Sequence, residues 1–190
     1  MDVLTLSPIY LPDDGIESFA RLGLEHNPGI RVTIQEFWLP YDVFDVNYKK
    51  KRPAPVDRNA RTVEDLRSIN GPYYKSMDEH VQALNQKLGK SVVYVVPVGQ
   101  ASLALRAKII AGEAPGLKQQ NDLFRDPIGH ATPPLQWLTA YCHFAVIYRR
   151  SPVGLPCPPD LVESGGKPLN SLLQQLAWDA VKAHRLSGLR

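Results

Sequence analysis

SVVYVVP, residues 91–97, is the stretch whose reading decides the fold. Val92 to Val96 are all β-branched or aromatic, with no polar residue alternating between them. A strand with one wet face alternates; an unbroken run suits the middle of a parallel sheet covered by helices on both sides. Pro97 ends the run, and Gly99 opens a helix expected to reach Ala111.

Working back from this strand, IRVTIQ at 30–35 and VLTL at 3–6 repeat the pattern in shorter form, the latter stopped by Ser7-Pro8. Between them, Asp13-Asp14-Gly15 precedes Ile16, Phe19, Ala20 and Leu22 to Leu24, and Asn27-Pro28-Gly29 closes the segment. Acids at the start and a turn at the end mark a helix. Strand, helix, strand over so short a stretch is a βαβ unit, with parallel pairing and a right-handed crossover. Residues 36–60 form a long loop, with Phe37, Trp38, Tyr41 and Phe44 at one end and Lys49-Lys50-Lys51-Arg52 at the other. Long loops of this kind are functional or mobile more often than inert, although the basic run alone reads as a solvated loop. Thr62 is placed to cap the next helix. Its buried stripe is Leu66, Ile69, Tyr73, Met77, Val81, Leu84 and Leu88, with a break or kink expected at Gly71-Pro72.

Working forward, a helix is expected over Pro133–Tyr148, then a Pro-rich loop at 151–168 and a last helix from Leu169 to His184. The expectation is one α/β domain over residues 1–190, a sandwich with three parallel strands ordered 3–6, 30–35, 92–96 and helices on both faces. Three strands are few for such a sheet, and the chain enters its first strand almost at once. Both features lead to the expectation that the first strand of the domain is missing, leaving an unpaired edge and apolar surface through which the chain self-associates.

Bulk properties narrow the classes of function. A chain of 190 residues, 44% hydrophobic and 22% charged, can bury a full core. A net charge of +3 is too small to imply a nucleic-acid partner. No run approaches the roughly 18 apolar residues of a membrane span, and MDVLTLSP has neither the basic region nor the cleavage site of a leader. Two cysteines, Cys142 and Cys157, make no disulfide framework; Cys142 lies in an apolar run and reads as a buried thiol. The five histidines show no metal-ligand spacing. Gly165-Gly166-Lys167 lacks the strand and glycine spacing of a phosphate loop, so no cofactor is expected.

The chemistry concentrates in LFRDPIGHATPP, residues 123–134. Asp126 precedes His130 by four residues in a Gly/Pro-rich loop. A histidine can take a proton from a hydroxyl and return it to a leaving group, and a carboxylate on its other nitrogen fixes tautomer and orientation. The plain structural alternative is that Asp126 caps a turn and His130 packs in the loop. Sites in open α/β sheets form at the carboxyl ends of strands, here Ser7 to Tyr10, Gln35 to Trp38 and Pro97 to Gln100.

Several segments in order carry a family resemblance: DVLTL at 2–6, RVTIQEFWLP at 31–40, VVYVVPVGQASLALRAKI at 92–109, LFRDPIGHATPPLQWLTAYCHFAVIYRRSPVGLP at 123–156 and AWDAV at 177–181. Together they resemble the later part of an SGNH/GDSL-type hydrolase. The resemblance implies a flavodoxin-like three-layer sandwich and ester hydrolysis through a serine acyl-enzyme. It implies a small or carbohydrate ester as substrate and no cofactor. Asp126 and His130 match the family's closing Asp-x-x-His block, with one residue more between them. Nothing in the chain matches the family's Gly-Asp-Ser block, and Ser7-Pro8-Ile9-Tyr10 stands where its Gly-x-Asn-Asp would fall, so neither serine nor asparagine transfers. On the resemblance, the chain holds the base half of the site. The competing expectation is a non-catalytic relative that binds through the 36–60 loop and Trp38.

Overall fold

A computed structural model describes residues 1–8, 11–44 and 53–189. The basic run Lys49 to Arg52 and the residues Ile9 and Tyr10 lie outside the described residues. The architecture is α/β. Strands β1 (Val3–Leu6), β2 (Arg31–Gln35) and β3 (Val93–Val96) form a parallel sheet in that order, with Leu6 opposite Ile34 and Gln35 opposite Val96.

Helix α1 (Asp14–His26) starts where the Asp13 carboxylate accepts from the Gly15 amide, 2.9 Å, which satisfies one of the free N–H groups of the first turn. Helix α2 (Val63–Lys87) starts on a capping box: Thr62 Oγ1 accepts from Asp65 N, and Asp65 Oδ2 accepts from Thr62 N. It runs through Gly71-Pro72 as one helix, so of the expected break or kink the break does not occur. The cost of a proline there is met by packing, since Leu66, Tyr73, Met77, Val81 and Leu84, on both sides of Pro72, are all buried.

These two helices cover one face of the sheet, over Val32, Ile34, Val93 and Val95. Helix α4 (Pro133–Tyr148) covers the other face. Arg31 donates from that face to the carbonyls of Val146 and Ile147, and Gln35 Oε1 meets His143 Nε2 at 2.8 Å. Helix α3 (Val98–Ile110) and helix α5 (Gly166–Ala183) complete a second apolar cluster with α4, built around Leu105, Leu138, Cys142, Leu169 and Leu173. Both cysteines are free, and burial pushes the Cys142 thiol upward in pKa.

The two sheet edges differ. Beyond β3 the chain's last residues add a backbone contact, Val95 N donating to Leu186 O at 2.9 Å. Beyond β1 there is no strand among the described residues. Phe19 and Leu22 of α1 flank that open edge half-exposed, with Leu4 and Ile30 lining the groove beneath them. An unpaired edge beside apolar side chains is a template for association. The 190-residue chain is therefore expected to self-associate in light scattering, and Phe19→Glu with Leu22→Glu to shift it toward monomer. A monodisperse wild-type monomer that unfolds cooperatively would refute this.

Candidate functional site

Asp126 and His130 sit on the loop that leads from α3 to α4, and the fold brings their side chains together. Asp126 Oδ2 is hydrogen-bonded to His130 Nδ1. Its other oxygen accepts from two backbone amides, Gly129 N at 2.9 Å and His130 N at 3.1 Å. The bond to the imidazole, followed by those backbone donors, holds the Asp126 carboxyl down to about 2. The carboxylate is thus ionised throughout the neutral range and can only accept. His130 Nδ1 must then be the donor, so the neutral imidazole carries its proton on Nδ1 and presents a bare lone pair at Nε2. No hydrogen bond engages Nε2 among the described residues, and the ring is half-exposed, with 55% of the side chain accessible. A proton acceptor of defined tautomer, open to a ligand, is what a general base requires.

The loop holding this pair is fastened carbonyl by carbonyl. Asp126 O accepts from Gly129 N and from Arg58 Nη1 at 3.3 Å; Pro127 O accepts from Arg58 Nη2 at 2.8 Å. Ile128 O accepts from Tyr41 N at 3.0 Å, Gly129 O from Trp38 Nε1 at 2.8 Å, and His130 O from Arg125 N at 2.9 Å. Gly129 has φ +106°, a conformation that disfavours a side chain, and a Cβ there would meet Arg58 Nη2 at 3.0 Å. Tyr41 and Trp38 belong to the segment following β2, so the pair is docked at the carboxyl end of the sheet.

Beneath the loop lies a buried ionic network. Asp42 takes a two-pronged contact from Arg106, 2.8 and 2.6 Å, and Arg58 Nε lies 3.7 Å away, an ion pair rather than a hydrogen bond. All three residues are almost fully buried. Arg106 also donates to Gln120 Oε1 at 2.7 Å, and both guanidinium groups face the Phe124 ring, Arg58 at 4.3 Å from its centre. Tyr41 and Asp42 adopt left-handed conformations, φ 57° and 51°. Two such non-glycine residues in succession cost energy that the surroundings must supply, a pattern common where a chain is positioned for function.

The other strand ends behave differently. Ser7, at the end of β1, is exposed. Gln35 is taken by His143. Glu36, next along, is fully buried and reaches the first turn of α3, where Gln100 N meets its Oε1 and the Gln100 side-chain amide its Oε2, both at 3.0 Å. Gly99 permits this approach, because a Cβ there would lie 2.3 Å from Phe37 O. Burial, against those hydrogen bonds, pushes the Glu36 carboxyl up to about 8. A neutral Glu36 keeps its second hydrogen bond by donating to Gln100 once that amide is turned over. The raised pKa has a defined sign. Between pH 4.5 and 8 the unfolded chain has lost the proton that the folded chain keeps, so stability falls as pH rises. The loss is expected to reach up to roughly 5 kcal/mol, one unit of pKa being worth about 1.4 kcal/mol. Glu36→Gln, with the shape of the neutral acid, should flatten the dependence of urea midpoint on pH across that window. An unchanged slope would show that Glu36 is not its source.

Sequence reasoning found Asp126 and His130 but missed Arg58, Asp42 and Arg106, which carry no motif. Trp38, the named contact residue of the binding alternative, is half-buried with its indole N–H spent on the loop. In comparisons with known proteins, no family model, no curated protein and no solved structure matched the chain.

Proposed function

We propose that the protein supplies the acid–histidine half of an ester-hydrolysing site of the SGNH/GDSL kind, acting on a small or carbohydrate ester. The observation that carries this reading is the Asp126–His130 pair itself: an ionised carboxylate on Nδ1, an open Nε2, and a loop fastened at every carbonyl from 126 to 130. Asp126 also caps the turn, as the structural alternative expects; a carboxylate on Nδ1 with Nε2 open to solvent goes beyond what a packed loop histidine needs.

On this reading a serine hydroxyl attacks the ester carbonyl while His130 Nε2 takes its proton. Asp126 stabilises the imidazolium that results. Collapse of the tetrahedral intermediate breaks the bond to the alcohol, which leaves with the proton from His130. Water then repeats the sequence on the acyl-serine and releases the acid. The resemblance in sequence supports this assignment, as does the position of the pair at the carboxyl end of a parallel sheet. No serine of these 190 residues matches the family's nucleophile block. A strand that brings one could seat at the open edge of β1, in the sheet whose carboxyl end holds the dyad. In the alternative, a binding module working through the 36–60 loop and Trp38, the indole N–H would not be available to a ligand, being spent on Gly129 O.

The test is hydrolysis of p-nitrophenyl acetate and of an acetylated sugar by two forms. One is the 190-residue chain; the other is extended at its amino end through the coding sequence in front of Met1. The short form should stay at background and the long form should turn over. Clear turnover by the short form would place the nucleophile within it, with Ser7 the first candidate; an inactive long form would favour a non-catalytic module.

A further inference from the structure

Resting on that reading, we infer that Arg58 is a positioning residue for the dyad: through its two bonds to Asp126 O and Pro127 O, anchored on Asp42, it sets the geometry of the Asp126–His130 hydrogen bond. Four observations converge. Arg58 lies far from the loop in sequence, yet both terminal nitrogens of its guanidinium end on successive loop carbonyls, one of them that of Asp126 itself. The guanidinium is buried and cannot swing away, being held beside the Asp42 carboxylate and over the Phe124 ring. Phe124 precedes the dyad on the same segment, so Arg58 grips the loop at its entry as well as at its turn. Asp42 is itself fixed by Arg106, which ties the arrangement to α3.

A planar, forked cation suits this work. It spans two carbonyl oxygens at once, which a lysine ammonium on a flexible stem does not. Removing it frees the peptide carbonyls that set where Asp126 begins and where the turn to Gly129 closes. The carboxylate's three hydrogen bonds, two to loop amides and one to the ring, all depend on that turn. Arg58 touches neither substrate nor the imidazole; its effect passes through backbone.

The experiment is NMR on the 190-residue chain, which needs no activity. In the wild type, the proton on His130 Nδ1 should give a low-field signal whose exchange with water is slowed by the bond to Asp126, and the Asp126 carboxyl carbon should titrate near pH 2. In Arg58→Ala, exchange of that proton should rise by about tenfold or more, as expected when hydrogen bonds to a charged group are lost. The Asp126 titration should move up toward the ordinary carboxylate value. Arg58→Lys should restore part of both signals. Trp38→Phe, which removes a single contact to Gly129, should disturb them less. A native amide spectrum for Arg58→Ala with both signals unchanged would overturn the proposal and leave Arg58 as a purely structural buried cation. If that variant does not fold, Arg58→Lys decides alone: wild-type signals refute the role, weakened signals support it. An intact dyad signature in a long chain without esterase activity would instead sink the hydrolase reading and leave the role of Arg58 standing.

Discussion

His130→Ala in the amino-terminally extended chain is expected to lower kcat/KM for ester hydrolysis by about ten-thousandfold or more, with little change in stability. On the proposed mechanism the size follows from losing the group that takes the nucleophile's proton and returns it to the alcohol; deletions in such triads cost on the order of 10⁴ to 10⁶ in rate. The absence of a stability effect follows from the structure. The imidazole is half-exposed, and among the described residues its only hydrogen bond from the ring is to Asp126. Asp126→Asn should be nearly as damaging, because an amide that donates to Nδ1 would move the ring proton to Nε2 and abolish the base. Retained activity in His130→Ala, measured beside an unchanged urea midpoint, would return His130 to the status of a loop residue.

Asp42→Ala is expected to cost about 3–5 kcal/mol of folding stability, the range for stripping one partner from a buried ion pair. Asp42 is 2% exposed and Arg106 3% exposed. Without the carboxylate, two buried guanidinium groups are left with no counter-charge beside them: Arg106 keeps Gln120 Oε1, Arg58 keeps the carbonyls of Asp126 and Pro127, and both face the Phe124 ring. A small domain has about 5–15 kcal/mol in total, so this single change removes a large share. The check is a urea titration in which the midpoint falls while the slope stays the same. The double variant Asp42→Leu with Arg106→Met should recover part of the loss, since it strands one buried guanidinium, that of Arg58, instead of two. A loss within about 1 kcal/mol for Asp42→Ala would show that water reaches the network.

What could be read in advance depended on whether the cause was local. Val92 to Val96 announced a buried strand because burial on both faces suppresses alternation. The βαβ unit announced itself through the acids at Asp13-Asp14 and the stop at Asn27 to Gly29. Pro72 misled because a local penalty was set against packing along a long helix, and the packing won. The contact of Leu186 with β3 was invisible, since LSGLR carries no strand pattern. At the site, Asp126 and His130 were legible because one short loop contains both. Arg58 was not: in RPAPVDRNART it looks like any loop arginine, and only the fold carries it under the Asp126 loop. Asp42 and Arg106 were hidden for the same reason, each a single charge with its partner on a distant element. A network of long-range ion pairs leaves no spacing in the chain from which to infer it.

The central claim is that His130 serves as the base for a serine seated beside β1. Its most direct test is labelling by a serine-reactive fluorophosphonate, read by mass spectrometry. The serine oxygen attacks phosphorus, fluoride leaves, and the base takes the proton, so the label forms only where the pair is assembled. The account predicts one label on the extended wild-type chain, carried by a serine in front of Met1, with none on extended His130→Ala and none on the 190-residue chain. Equal labelling of the His130→Ala form, or a label on a serine within the 190 residues, would contradict it.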